Sequence, residues 1–226
     1  MSAGGQLERL RAEVATACRR LAANGLVMGT AGNVSARGDD RVAISPTGAA
    51  LGELTGEQVT VVDLDGEVVG GELAPTSELG LHLGVYRRYD AGAVVHTHAP
   101  MATALSCVLD ELPCVHYQML LLGGTVRVAP YATFGTPELA EGVLDALEGR
   151  TGALMANHGA LTYGPDLARA VDATELLEWA CEIYWRAAAL GNPRALDHGQ
   201  RQSVVEAAVR RGYGATRRLE PDREEP

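Results

Sequence analysis

AGAVVHTHAP, residues 91–100, sets His96 and His98 two apart at the end of a short apolar run. Successive side chains on a strand point to opposite faces, so both imidazoles share one face while Thr97 turns away. Neutral imidazole is the commonest protein ligand for a zinc-like divalent ion, and a catalytic site takes three protein ligands with one position open. Two structural histidines with ordinary hydrogen bonds would show the same spacing, so the pair raises the question of a third ligand. GALMANHGALTYG, residues 152–164, offers one. Its apolar ALM leads into Asn157-His158-Gly159, and a histidine on a polar turn at a strand end can reach a pocket built elsewhere. His198, in the polar LDHGQRQ, is a weaker candidate.

Upstream, APTSELGLHLGVYRRY (74–89) reads as a helix started by Pro75, Thr76 and Ser77, with Glu78 in its first turn and Leu79, Leu83, Val85 and Tyr86 packing inward. Glu78 either complements the helix dipole or faces the metal candidates, because this helix runs into the histidine strand through Asp90-Ala91-Gly92. His82, one turn after Glu78, reads as a supporting or structural histidine rather than a ligand. Further upstream, Leu7, Leu10, Val14, Ala17 and Leu21 predict a helix over about residues 6–24, stopped by Gly25. GTAGNVSAR (29–37) reads as a glycine-rich loop before a strand RVAIS (41–45), and SPTG (45–48) as a turn. Each is an ordinary turn by itself. Two small-residue loops either side of a short strand can also converge as a cradle of N–H and hydroxyl groups for phosphate. QVTVVDLDGEVV (58–69) predicts a hairpin about Asp65-Gly66.

Downstream, Pro100 opens a short helix in which Met101, Leu105 and Val108 are expected in the core. CVHYQMLLLGG (114–124) carries Tyr117, either a core or interface residue or a proton donor in a cleft. RVAPYATFGTPELAEGVLDAL (127–147) predicts strand, loop and a helix from Pro137 capped by Thr136. A long helix is expected over 166–190, with Leu167, Val171, Leu176, Leu177, Ile183 and Tyr184 buried, and a last one over about 200–211. A charged tail follows, expected to be mobile from about residue 214. No repeat or composition break divides the chain, so residues 1–226 read as one α/β domain.

The composition, 46% hydrophobic and 21% charged over 226 residues, is that of an ordinary globular protein. A formal net charge of -10 argues against nucleic acid or an anionic membrane as partner, so an anionic substrate must be held by local groups. No run approaches the roughly 20 apolar residues of a membrane span and the first residues lack a signal-peptide core, so a cytoplasmic protein is expected. Cys18, Cys107, Cys114 and Cys181 form no CxxC pair and read as buried thiols.

GTAGNVSAR, ISPTG, PTSELGLH, VVHTHAP, VHY followed by LLLGG, APYATFGTPEL and NHG stand in the order and spacing of the class II aldolase and adducin family. The chain resembles that family from the first helix to Tyr213, and within it the bacterial L-fuculose-1-phosphate aldolases. The resemblance implies a central, mainly antiparallel β-sheet flanked by helices in three α/β/α layers. It implies a zinc enzyme that reversibly cleaves a ketose 1-phosphate, L-fuculose 1-phosphate or a related 5-deoxypentulose 1-phosphate, to dihydroxyacetone phosphate and an aldehyde. His96, His98 and His158 would hold the zinc, with Glu78 both a resting ligand and the acid/base. Gly32, Asn33, Thr47, Gly48, Thr76 and Ser77 would surround the phosphate. Tyr117, and Tyr213 from a neighbouring subunit of a homotetramer, would serve the aldehyde end. Such a site suits the chemistry, which must stabilise an enediolate. The chain contains no lysine, which excludes the Schiff-base strategy. Pentulose-5-phosphate 4-epimerases carry an aspartate where this chain has Glu78; methylthioribulose-1-phosphate dehydratases share the histidines; adducin-like assembly modules lack the metal.

Overall fold

The computed structural model describes residues 3–214. The charged tail, 215–226, lies outside the described residues.

The centre is a nine-stranded sheet. Its strands are β1 (Asn33–Gly38), β2 (Arg41–Ile44), β3 (Thr60–Asp63), β4 (Val68–Gly70), β5 (Ala93–Thr97), β6 (Glu111–Leu112), β7 (Val126–Ala129), β8 (Gly152–Met155) and β9 (Gly159–Gly164). They lie in the order β4-β3-β2-β1-β5-β9-β8-β7-β6. Every pair is antiparallel except β7 with β8. Thus β5, the histidine strand, is central: Asn33 of β1 stands opposite His96, and so does Leu161 of β9 on the other side.

Helices cover both faces. α1 (Ala3–Ala23), α3 (Pro100–Ser106) and α5 (Leu167–Leu190) pack on one, with Val34, Ala93, Val95 and Ala160 of the sheet in their shared core. α2 (Leu79–Arg88) and α4 (Pro137–Ala146) pack on the other, against Val42, Val94, Met155 and Leu161. α6 (His198–Arg211) follows, capped by Asp197. Strand alternation explains the split: Ala93 and Val95 face one core, Val94 the other, so His96 and His98 fall on the α2 side. None of the described helices is long and apolar enough to cross a membrane.

Four expectations need correction. GTAGNVSAR is a loop only over its first residues; from Asn33 it is strand β1, next to β5 in the middle of the sheet. Its polar residues misled because Asn33 and Ser35 are buried and hydrogen-bonded on the α2 face, while Val34 and Ala36 fill the core. Glu78 precedes α2 rather than lying in its first turn, and its side chain caps no helical N–H. Val108 is 75% exposed and Cys107 is exposed, because α3 ends at Ser106 and the chain turns outward there; the other cysteines are buried. Along α5, Val171 and Leu177 are buried, whereas Leu167, Leu176, Ile183 and Tyr184 are half-buried.

Candidate active site

The end of β5 is held from two sides. Beyond it, Glu178 of α5 accepts hydrogen bonds from Met101 N and Ala102 N at 2.8 Å each, anchoring the first turn of α3. Alongside it, Gly159 begins β9 so close to Thr97 that a Cβ would lie 2.3 Å from the Thr97 carbonyl oxygen. Only glycine allows that approach, and it brings the preceding His158 up to His98. Asn157 contributes a left-handed backbone, φ 55°, that turns His158 inward.

The three imidazoles converge. Their candidate ligand nitrogens lie within 4.8 Å of one another, and His96 Nε2 is 3.0 Å from His98 Nε2. His96 Nδ1 donates to the Ala160 carbonyl at 2.9 Å, which leaves Nε2 with a lone pair directed at the cluster. Burial pushes His96 down to about 4 and lowers His98 and His158, so all three are neutral near pH 7. His198, at the exposed start of α6, is not part of this cluster.

Glu78 completes the group. Its Oε2 is 3.3 Å from His96 Nε2 and its Oε1 3.7 Å from His158 Nε2. Asn33 Nδ2 donates to Oε2 at 2.8 Å, whereas Oε1 is buried without a hydrogen-bond partner. Burial raises the carboxyl, but the attraction of His96 when that ring is protonated, the Asn33 N–H, and the like attraction of His158 and His82 outweigh it and hold the acid below its ordinary value. A buried carboxylate oxygen with no donor, facing three neutral imidazoles, is what a divalent cation would satisfy. The donor set fits one.

His82 is not in the cluster. It is fully buried, bonds Asn33 and Ser35, and is pushed down to about 3 by burial, so it is a neutral support, as its sequence position suggested.

Above the carboxylate opens a cleft of about 290 Å³. The β1 and β2 ends meet there: Pro46 and Pro75 form a bridge, Thr47 N donates to Ala74 O, and Thr76 N to Ser45 O. These contacts bring Gly32, Asn33, Thr47, Gly48, Thr76 and Ser77 into the lining of one cleft together with His98 and His158. Gly32 is needed at its turn, since a Cβ there would lie 2.8 Å from the His96 carbonyl oxygen. No arginine lines this cleft among the described residues, so an anion here meets N–H and hydroxyl donors.

Residues 12–185 match the family described as Class II Aldolase and Adducin N-terminal domain. The chain belongs to the class II aldolase and adducin family. Among its relatives, 5-deoxy-D-ribulose 1-phosphate aldolase of Bacillus thuringiensis serovar kurstaki is 37% identical over 92% of this chain and 98% of that protein. The 5-methylthioribulose-1-phosphate/5-deoxyribulose-1-phosphate aldolase of Rhodospirillum rubrum is 38% identical over 87% and 90%. A solved L-fuculose 1-phosphate aldolase superposes with a TM-score of 0.84 at 36% identity, over 88% of this chain and 95% of that one. The chain is an aldolase of this family, a lyase.

Against this aldolase scaffold the two tyrosines stand apart. Tyr117 and Tyr213 are exposed, with hydroxyls 3.3 Å from each other, and neither lines the cleft of its own chain. Tyr131, Phe134, Thr30 and Asn157 do line it, and none of them is among the residues that the sequence marks for the site. The aromatic pair sits in APYATFGTPEL, where two exposed rings within a polar loop were the available signal.

Proposed function

We propose that this aldolase uses zinc and reversibly cleaves a ketose 1-phosphate to dihydroxyacetone phosphate and a short aldehyde, as a cytoplasmic homotetramer. The observation that carries the reading is the meeting of Glu78 and three neutral imidazoles beside a wall of small N–H and hydroxyl groups. Gly32, Asn33, Thr47, Gly48, Thr76 and Ser77 bind the phosphate and so orient the reacting carbons toward Glu78. A divalent cation held by His96, His98 and His158 supplies a Lewis acid for the negative charge that develops on oxygen. In cleavage, the hydroxyl on the departing aldehyde carbon passes its proton by way of the tyrosine hydroxyls to solvent, and the carbon–carbon bond breaks with its electron pair left on the dihydroxyacetone phosphate carbon. Glu78, protonated from solvent in turn, delivers a proton to that carbon. In condensation Glu78 removes that proton. Because Tyr117 and Tyr213 of one chain lie side by side and away from that chain's own cleft, both reach the aldehyde end from a neighbouring subunit, where they orient and protonate it. Their joint exposure on one surface supports a subunit boundary there.

The relatives' substrates favour a 5-deoxypentulose 1-phosphate, with L-fuculose 1-phosphate and 5-methylthioribulose 1-phosphate as competitors. A methylene in an apolar pocket discriminates by only about 1 to 3 kcal/mol, so more than one turns over. The test is release of dihydroxyacetone phosphate from 5-deoxyribulose 1-phosphate and L-fuculose 1-phosphate, with and without chelator, alongside zinc content. Chelator-sensitive release is expected. Bound zinc with no triose phosphate would move the reaction to dehydration or epimerisation, and a metal-free, inactive protein would favour an assembly module.

A further inference from the structure

Five buried polar residues run in one line back from the cleft, which Asn33 and Glu78 line. Glu78, His82 and Tyr86 follow one another at one-turn spacing along α2 and its start, and face Asn33 and Ser35, two apart on β1. All five are under a tenth exposed. The contacts run from Tyr86 hydroxyl to Ser35 Oγ (2.7 Å), Ser35 Oγ to His82 Nδ1 (2.7 Å), His82 Nε2 to Asn33 Oδ1 (2.5 Å) and Asn33 Nδ2 to Glu78 Oε2 (2.8 Å).

We propose that this series is a one-way hydrogen-bond chain in which His82 is a positioning residue, orienting Asn33 so that Glu78 is held by Oε2 and acts on substrate through Oε1. The direction follows from the carboxylate. An ionised carboxylate only accepts, so Asn33 must turn its N–H toward it and its carbonyl oxygen toward His82. That oxygen only accepts, so the His82 proton is on Nε2. Nδ1 then carries a lone pair, Ser35 must donate to it, and the Ser35 oxygen is left to accept from Tyr86. Each link admits one polarity. Its output is a fixed amide donor on one carboxylate oxygen, while the other oxygen has no partner. Reversing His82 to the other tautomer would set its lone pair against the Asn33 oxygen and release the amide to rotate. The inference rests on Glu78 as the acid/base.

Neutron diffraction from the zinc-loaded enzyme tests the polarity directly, with deuterium expected on His82 Nε2 and none on Nδ1. Kinetics tests the consequence. His82→Leu keeps the bulk but lacks the donor, and kcat is expected to fall about 10- to 100-fold with KM changed less than about twofold and zinc content unchanged. His82→Gln, which restores an N–H toward Asn33, should recover most of that loss. If His82→Leu does not fold, the neutron result and the His82→Gln kinetics still decide the proposal. Deuterium on Nδ1, equal kcat for the Leu and Gln variants, or a loss confined to KM would overturn the proposal. If the parent enzyme releases no triose phosphate, the aldolase reading fails instead, and the neutron result still decides the polarity.

Discussion

Glu78→Gln changes one atom of the site, and the structure dictates how the new amide must sit. Asn33 Nδ2 donates to Oε2 at 2.8 Å, so the glutamine carbonyl oxygen takes that position. Its NH2 then replaces Oε1, the buried oxygen with no partner. A donor now faces the substrate carbon where an acceptor is required, and an amide neither takes nor gives a proton near neutral pH. General acid/base catalysis contributes roughly 100- to 10,000-fold, so kcat should fall by that factor. The same loss is about 3 to 5 kcal/mol on the barrier, at about 1.36 kcal/mol per decade. The amide conserves shape and the Asn33 contact, so the fold should stand, and the three imidazoles should retain the metal. The assay couples dihydroxyacetone phosphate to its reduction by glycerol-3-phosphate dehydrogenase and follows NADH, with zinc measured on the same samples. A kcat within about threefold of the parent would refute the acid/base role. Loss of activity in step with loss of zinc would instead make Glu78 essential as a metal-holding group.

Ser77→Ala removes an exposed hydroxyl from the proposed phosphate cradle and should raise KM for the phosphorylated ketose roughly 5- to 10-fold, the worth of one hydrogen bond; unchanged KM and kcat would exclude Ser77 from the cradle. Gly159→Ala drives a Cβ to 2.3 Å from the Thr97 carbonyl, which should cost about 1–3 kcal/mol of stability and weaken zinc retention by moving His158. Parental Tm and zinc content would show that β9 yields more easily than the packing implies. In chelator, Tm should fall as pH drops from 7 toward 4. His82 and His96 are held neutral to about 3 and about 4, while the unfolded chain takes up their protons from about pH 6.5 downward, so stability is present above 6.5 and lost below it. A flat Tm between pH 7 and 5 would contradict that linkage.

The histidine pair was legible because its geometry is local: a two-residue spacing on a strand places both rings on one face whatever the rest of the chain does. The same holds for Gly25 ending α1 and Asp65-Gly66 turning the hairpin, where backbone conformation is set within a few residues. His158 was legible as a candidate, but its convergence with His96 and His98 depends on β9 pairing with β5 and on the close approach at Gly159. Burial at the end of α3 was not legible, since whether Cys107 and Val108 face the core depends on where the chain turns next. The largest misreading was β1. Asn33 and Ser35 look like loop residues because a polar side chain in a strand is costly unless it finds partners, and those partners, Glu78, His82 and Tyr86, are more than 40 residues away in sequence. The candidate ligand histidines were thus legible in residue type and strand period. The orientation of Glu78, and which of its oxygens is free, was decided only when α2 packed onto β1, because a hydrogen-bond direction belongs to a pair of groups and not to either residue alone.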